Sequence, residues 1–171
     1  MPTQAFLNVL QQQGFAGEID TSAAQRAVYA TDNSIYERPP QAIVCPKHVA
    51  DLQVLTRLLA EERFRGVVVT ARGGGTGTNG QSLTEGIVVD VSRHMNHILS
   101  IDVAKRQVRV QAGVVKDQLN RALKPHGLFF APELSTSNRA TIGGMVNTDA
   151  SGQGSCTYGK TRDHVLALKT V

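Results

Sequence analysis

Cysteine is scarce in this chain: Cys45 and Cys156 are the only two in 171 residues. Two thiols cannot build a disulfide framework, and a domain of this size can bury enough apolar surface to do without one. A reducing compartment, the cytoplasm, is therefore expected. Aromatic residues are also few, five Phe and three Tyr with no Trp, which leaves little to stack on bases. Lys and Arg are scattered without a block, and nucleic-acid binding is not expected. No apolar run approaches the ~20 residues that cross a bilayer, so no transmembrane segment is expected. Met1-Pro2-Thr3-Gln4 has neither the charged region nor the apolar stretch of a signal peptide. The five histidines lack a matched set of Cys, Asp or Glu at ligand spacing, so no metal site is expected, and only His164 is a candidate for contact with a ligand ring. Nor is a Ser/His/Asp set legible, because nothing fixes Ser137 or Ser151 beside a base.

Glycine is what the chain has, and it is concentrated. Eleven of sixteen glycines fall between Gly73 and Gly86 or between Gly143 and Gly159. Without Cβ atoms a backbone can turn successive N–H groups inward as a concave donor surface for an anion, or approach a flat ring closely. Charge is uneven in a way that suits an anion. Residues 1–102 carry 8 basic and 10 acidic side chains, residues 103–171 carry 10 and 4, and the net charge is +4. Surface basicity without function is the alternative.

The periodicities predict strands flanking helices throughout, an α+β or α/β class with a mixed sheet. A helix is expected over 3–13 with Phe6, Val9 and Leu10 on one face, and a second, short helix from Ser22. A strand at Ala42–Cys45 precedes a helix over 48–63 with Val49, Leu52, Leu55 and Leu59 as its stripe. Val67–Ala71 is a β-branched run suited to a strand covered on both faces. Strands are further expected at 87–90, near 97–102 and at 107–112, the last with one wet face. A helix follows over 115–124. The last residues, 164–171, read as a strand stopping in mid-pattern, so the chain is expected to be a piece of something longer.

Two motifs invite a different reading. Gly75-x-Gly77-x-x-Gly80 follows a strand, but the dinucleotide fingerprint also needs a helix N-terminus aimed at the pyrophosphate, and Gln81–Gly86 leads into another strand. Gly154-Ser155-Cys156-Thr157-Tyr158-Gly159-Lys160-Thr161 fits the phosphate loop of nucleoside triphosphatases, but Ala150–Gln153 is not a buried strand delivering it. What the first loop can be is a nest of inward N–H groups carrying Thr76, Thr78 and Asn79, with Arg72 adding charge at its mouth. A long flexible hairpin is the alternative. The second region joins Ala131-Pro132-Glu133 to small polar residues interleaved with Gly143, Gly144 and Gly152, which suits a flat heteroaromatic ring. A solvated Ser/Thr-rich loop is the alternative, though about twenty structureless residues are uncommon in a compact domain unless functional.

Arg72-Gly73-Gly74-Gly75-Thr76-Gly77, Pro132-Glu133, Thr141-Ile142-Gly143-Gly144-Met145-Val146-Asn147-Thr148, Gly152, Tyr158-Gly159 and Asp163-His164-Val165 together resemble the FAD domain of vanillyl-alcohol-oxidase-type flavoproteins. Within that superfamily the chain resembles FAD-linked D-2-hydroxyacid dehydrogenases, and through Thr31-Asp32-Asn33-Ser34-Ile35-Tyr36 and Thr78-Asn79-Gly80-Gln81-Ser82 it resembles the large bacterial proteins that fuse this domain to a substrate domain and an iron–sulfur region. The resemblance implies a C-terminally truncated fold of two α/β subdomains, with a helical lead-in at 1–36, a first subdomain at 37–102 and the start of a second at 103–171. It implies that Gly73, Gly74, Gly75, Thr76, Gly77, Thr78 and Asn79, beside Arg72, hold the FAD pyrophosphate. Pro132, Glu133, Ser137, Thr141, Gly143, Gly144, Asn147, Asp149 and Gly152 are implied to line the flavin side.

Some relatives attach FAD through a histidine where this chain has Thr76, so non-covalent FAD is expected. The implied function is oxidation of a D-2-hydroxy acid of the D-lactate or D-2-hydroxyglutarate class, with the electron acceptor and the catalytic base unassigned. An iron–sulfur cluster would lie outside these residues, and this stretch is not expected to turn over alone. Two rival functions are a nucleotide-binding or docking module without chemistry of its own, and NTP binding at Gly154–Thr161.

Overall fold

Strands Ala42–Cys45 (β2) and Ile87–Asp90 (β4) are buried at every position, as continuous apolar runs are when both faces of a sheet are covered. A computed structural model describes residues 2–171. In it these two strands form the centre of a four-stranded sheet ordered β1-β2-β4-β3, with Glu18–Asp20 as β1 and Val69–Arg72 as β3. β2 and β3 run parallel to β4, and β1 is antiparallel to β2.

One face is covered by helices Pro2–Gln12 (α1) and Val49–Leu59 (α3). Phe6, Leu7, Leu10, Leu55, Leu58 and Phe64 pack there on Ala42, Val44, Ile87 and Val89, with Phe6 and Phe64 edge-to-face at 5.2 Å. The other face, Ile43, Cys45 and Val88, meets Tyr29 at the end of helix Ala23–Tyr29 (α2). The buried face of α3 is Asp51, Leu55 and Leu58, rotated from the expected stripe. Asp51 is drawn inward because its carboxylate accepts from Ala16 N at 2.8 Å and Lys47 N at 2.7 Å. Residues 62–64 form a separate 3₁₀ turn rather than the end of α3.

A second unit follows. Strands Ile98–Asp102 (β5) and Gln107–Val110 (β6) pair as a hairpin. Their Ile98, Ile101 and Val110 join Val114, Leu119, Leu123, Leu128, Phe130 and Ile142 in a core of their own, partly supplied by helix Lys116–Leu123 (α4).

Two expectations are corrected. The second glycine region is not an uninterrupted loop: Ile142–Asn147 is a helix (α5), and Ser155–Tyr158 a single turn (α6). Glycine is a poor helix former, but tertiary bonds fix the first turn of α5. Ile142 N donates to Val114 O and Gly143 N to Ala112 O, both at 2.8 Å, and Met145 is buried. The terminal strand is also not there. Thr161–His164 is a 3₁₀ turn, and 165–171 finds no strand partner among the described residues, leaving Leu166, Leu168 and Val171 exposed.

Candidate functional site: a cleft between two glycine-bearing segments

β3 and β4 lie side by side and parallel, Val69 opposite Ile87, so the chain leaving Arg72 must travel back the length of the sheet before β4 begins. Parallel neighbours need a crossover of a dozen or more residues, usually helical. Here residues 73–86 make it without a helix, in keeping with the exclusion of the dinucleotide fingerprint.

The loop is anchored from behind. Arg72 donates through Nη2 to Thr31 O at 2.8 Å and lies 5.2 Å over the Tyr29 ring, and burial lowers its pKa from the ordinary arginine value. Asn33 N donates to Gly75 O at 3.1 Å, and Ser82 Oγ to Asp32 Oδ2 at 3.0 Å. Asp32 also accepts from Ser34 N at 2.8 Å. Burial opposes its ionisation, but the Ser34 and Ser82 hydrogen bonds, with Arg72, hold its pKa below the usual value. Gly75 takes φ +62°, a left-handed conformation that glycine adopts without strain. With the backbone so held, no protein acceptor among the described residues takes the N–H groups of Gly73 through Thr78, whereas Asn79 N is bonded to Gln81 Oε1 at 3.0 Å.

The second segment closes directly on the first. A Cβ on Gly73 would collide with the Thr141 hydroxyl, and one on Gly74 with the Arg139 carbonyl. Residues 136–140 form a tight turn, with Arg139 N and Ala140 N donating to Thr136 O at 2.9 and 2.8 Å. Lys116 N donates to Ala140 O at 2.9 Å, which moors the turn to α4. Thr141 Oγ1 caps α5 through Gly144 N. Gly152 folds back onto the Glu133 carbonyl, which leaves no room for a Cβ, so 132–152 is closed on itself. Pro132 is buried and Ser137 half-buried, while Glu133, Gly144 and Asn147 are exposed. Asp149 has φ +46°, and its carboxylate accepts from Arg162 Nε at 2.6 Å and Arg162 N at 3.1 Å. The Arg162 hydrogen bond lowers its pKa, so this carboxylate already has a partner within the chain.

Between the two segments lies a cavity of about 340 Å³ whose walls include Arg72, Gly75, Thr76, Thr136 and Arg139. Thr31, Asp32 and Asn33 close its third side. Sequence reasoning placed Arg72, Gly75 and Thr76 here but missed Arg139 and the 31–33 wall. A cavity of about 220 Å³ between α1 and β1 involves Gln4, Asn8, Gln11 and Phe15, and no charged side chain lines it.

The Nε2 of His164 is 2.9 Å from Tyr158 O, and its ring packs edge-to-face on Phe130 at 5.6 Å. Thr161, the would-be magnesium hydroxyl of a phosphate loop, is fully buried and donates to Ala150 O at 2.7 Å. That hydroxyl has no access to a metal ion. No group of three or more His, Cys, Asp or Glu residues among those described could hold one, and no helix is long and apolar enough to cross a membrane.

A diphosphate fits this cleft. Gly75 and Thr76 of the glycine loop line it together with Arg72, Arg139 and Thr136, and their charge and hydroxyls suit an anion without a helix dipole. The fold and the cleft define a nucleotide-binding domain of the flavoprotein type. The chain belongs to the FAD binding domain family, whose profile matches residues 40–171.

Its similarity to individual proteins is high. It is 69% identical over 166 residues to D-2-hydroxyglutarate dehydrogenase of Pseudomonas putida and 61% identical over the same length to that of Escherichia coli, in each case over 97% of this chain. The chain spans 16% of the length of those relatives. It is 36% identical over 154 residues to glycolate oxidase subunit GlcD of Bacillus subtilis, covering 89% of this chain and 32% of the relative. The same fold occurs in alkyldihydroxyacetonephosphate synthase at TM-score 0.81 and 21% identity, over 94% of this chain and 34% of that one. It also occurs in Physcomitrella patens BBE-like 1 at TM-score 0.76 and 21% identity, over 92% and 34%.

Proposed function

We propose that this chain is the FAD-binding part of a flavin-dependent oxidoreductase acting on a D-2-hydroxy acid, with D-2-hydroxyglutarate the leading substrate. The observation that carries the reading is the meeting of the 73–78 amides with the 136–141 turn around a cationic cleft. The substrate assignment is supported by relatives 61% to 69% identical that bear that enzyme's name. When bound, the flavin supplies a two-electron acceptor for the hydride on Cα of the hydroxy acid.

The chain's own residues bind and orient. Gly73, Gly74, Gly75, Thr76, Gly77, Thr78 and Asn79 hold the pyrophosphate, with Arg72 fixing the loop from behind. The 132–152 segment, through Pro132, Glu133, Ser137, Thr141, Gly143, Gly144, Asn147, Asp149 and Gly152, lines the flavin end. Residues 37–102 and 103–171 form the two subdomains that clasp the cofactor, and 1–36 leads into the first. Thr76 is not a nucleophile toward the flavin, so FAD is held non-covalently. An iron–sulfur cluster, if the protein uses one to pass electrons on, lies outside these residues.

The test is a cofactor assay on the full-length protein followed by a panel of D- and L-2-hydroxy acids with a dye acceptor. Mild denaturation should release intact FAD into solution, and D-2-hydroxyglutarate should bleach the flavin while its L-isomer does not. Absence of flavin from the extract, or bleaching by none of the acids, would contradict the proposal.

A further inference from the structure

We propose that Arg139 is a further cofactor-binding residue, whose guanidinium takes a phosphate oxygen of the dinucleotide from the side opposite the 73–78 amides. The proposal rests on the FAD reading above.

The backbone of Arg139 has no freedom. Its N–H is bonded to Thr136 O and its carbonyl is pressed against Gly74, so the residue is fixed beside the pyrophosphate loop. Its side chain, by contrast, is uncommitted. It takes part in none of the ion pairs among the described residues, and it lines the same cavity as Gly75 and Thr76.

Arg72, on the same cavity, is committed elsewhere: its guanidinium donates to Thr31 O and Tyr29 O. The two arginines are near enough that the charge of Arg139 disfavours that of Arg72, a repulsion that an anion between them would relieve. Asp32 shares the cavity, but both its oxygens already accept hydrogen bonds, from Ser34 and Ser82. Of the charged groups here, Arg139 is the one with its donors free, and a guanidinium fork matches phosphate oxygens in geometry as well as charge. It stands in a turn of polar residues just before the Thr141–Thr148 motif, and the motif itself does not include it.

The test compares intact wild-type protein with Arg139→Ala and Arg139→Lys. FAD affinity is measured by flavin fluorescence over a range of salt, with riboflavin, which has no phosphate, as control. Arg139→Ala should weaken FAD about 10- to 100-fold and flatten the salt dependence, with riboflavin affinity and the melting temperature of the flavin-free protein unchanged. Arg139→Lys should recover part of the loss, because charge returns without the fork. Unchanged FAD affinity in Arg139→Ala would overturn the proposal, as would equal weakening of FAD and riboflavin. A raised KM for the hydroxy acid at unchanged FAD affinity would assign Arg139 to substrate instead and overturn it too. Failure of the wild-type protein to bind FAD would defeat the functional reading itself, and this inference with it.

Discussion

The main-chain carbonyl of Arg139 occupies the space that a Cβ on Gly74 would need. A carbonyl held by a turn cannot swing aside as a flexible side chain can, so the contact between the two segments tolerates only glycine at 74. Gly74→Ala is expected to lower stability by about 1–3 kcal/mol, the usual range for overpacking, and to open the cleft. Denaturant unfolding and retained FAD per chain both measure it. Wild-type values for both would show that the segments part without consequence.

The 31–34 stretch acts as a latch behind the glycine loop that follows β3, and it precedes the residues matched by the family profile. Ser82→Ala removes the hydroxyl that donates to Asp32. FAD should dissociate about 2- to 10-fold faster, in line with one partly buried hydrogen bond, while turnover at saturating FAD stays the same. Stopped-flow dilution of the flavin-loaded protein measures the rate.

Alkaline pH should loosen the sheet. Burial pushes the Cys45 thiol up to about 11 from an ordinary value of 9.0. Burial also raises the Tyr29 pKa, with help from its hydrogen bond to Asp90. In both cases the neutral form is the one the fold prefers. Their contributions are therefore complete below the ordinary values and fade as pH rises, for Cys45 between about 9 and 11. Unfolding midpoints measured from pH 8 upward should fall less steeply in Tyr29→Phe than in wild type.

The two thiols should react very differently. Cys45 is 2% exposed and disfavoured as a thiolate, whereas Cys156 is exposed, and it is the thiolate that reacts. A thiol reagent at neutral pH should label Cys156 within minutes and Cys45 only on unfolding. Rapid double labelling would contradict the packing of β2.

Much of this arrangement was legible from residue pattern. The buried strands β2 and β4 announce themselves as apolar runs, and the first glycine cluster marked one side of the cleft. β1 did not, because Glu18-Ile19-Asp20 has a single apolar residue and forms only through pairing with β2. α5 was hidden by Gly143 and Gly144, whose low helix propensity is overridden by bonds to Ala112 and Val114. The strand expected at 164–171 was the opposite error, since an apolar run such as Val165–Leu168 makes a strand only where an edge is available to pair. Arg139 and Asp32 belong to the site through tertiary contacts, and a linear pattern carries no signal of those.

Hydrogen exchange on the full-length protein, with and without FAD, tests the central claim most directly. If the 73–78 amides grip the diphosphate, their exchange slows sharply in the flavin-loaded protein, together with the 136–141 turn. Exchange at 73–78 that is equally fast with and without FAD, while other segments become protected, would contradict the account.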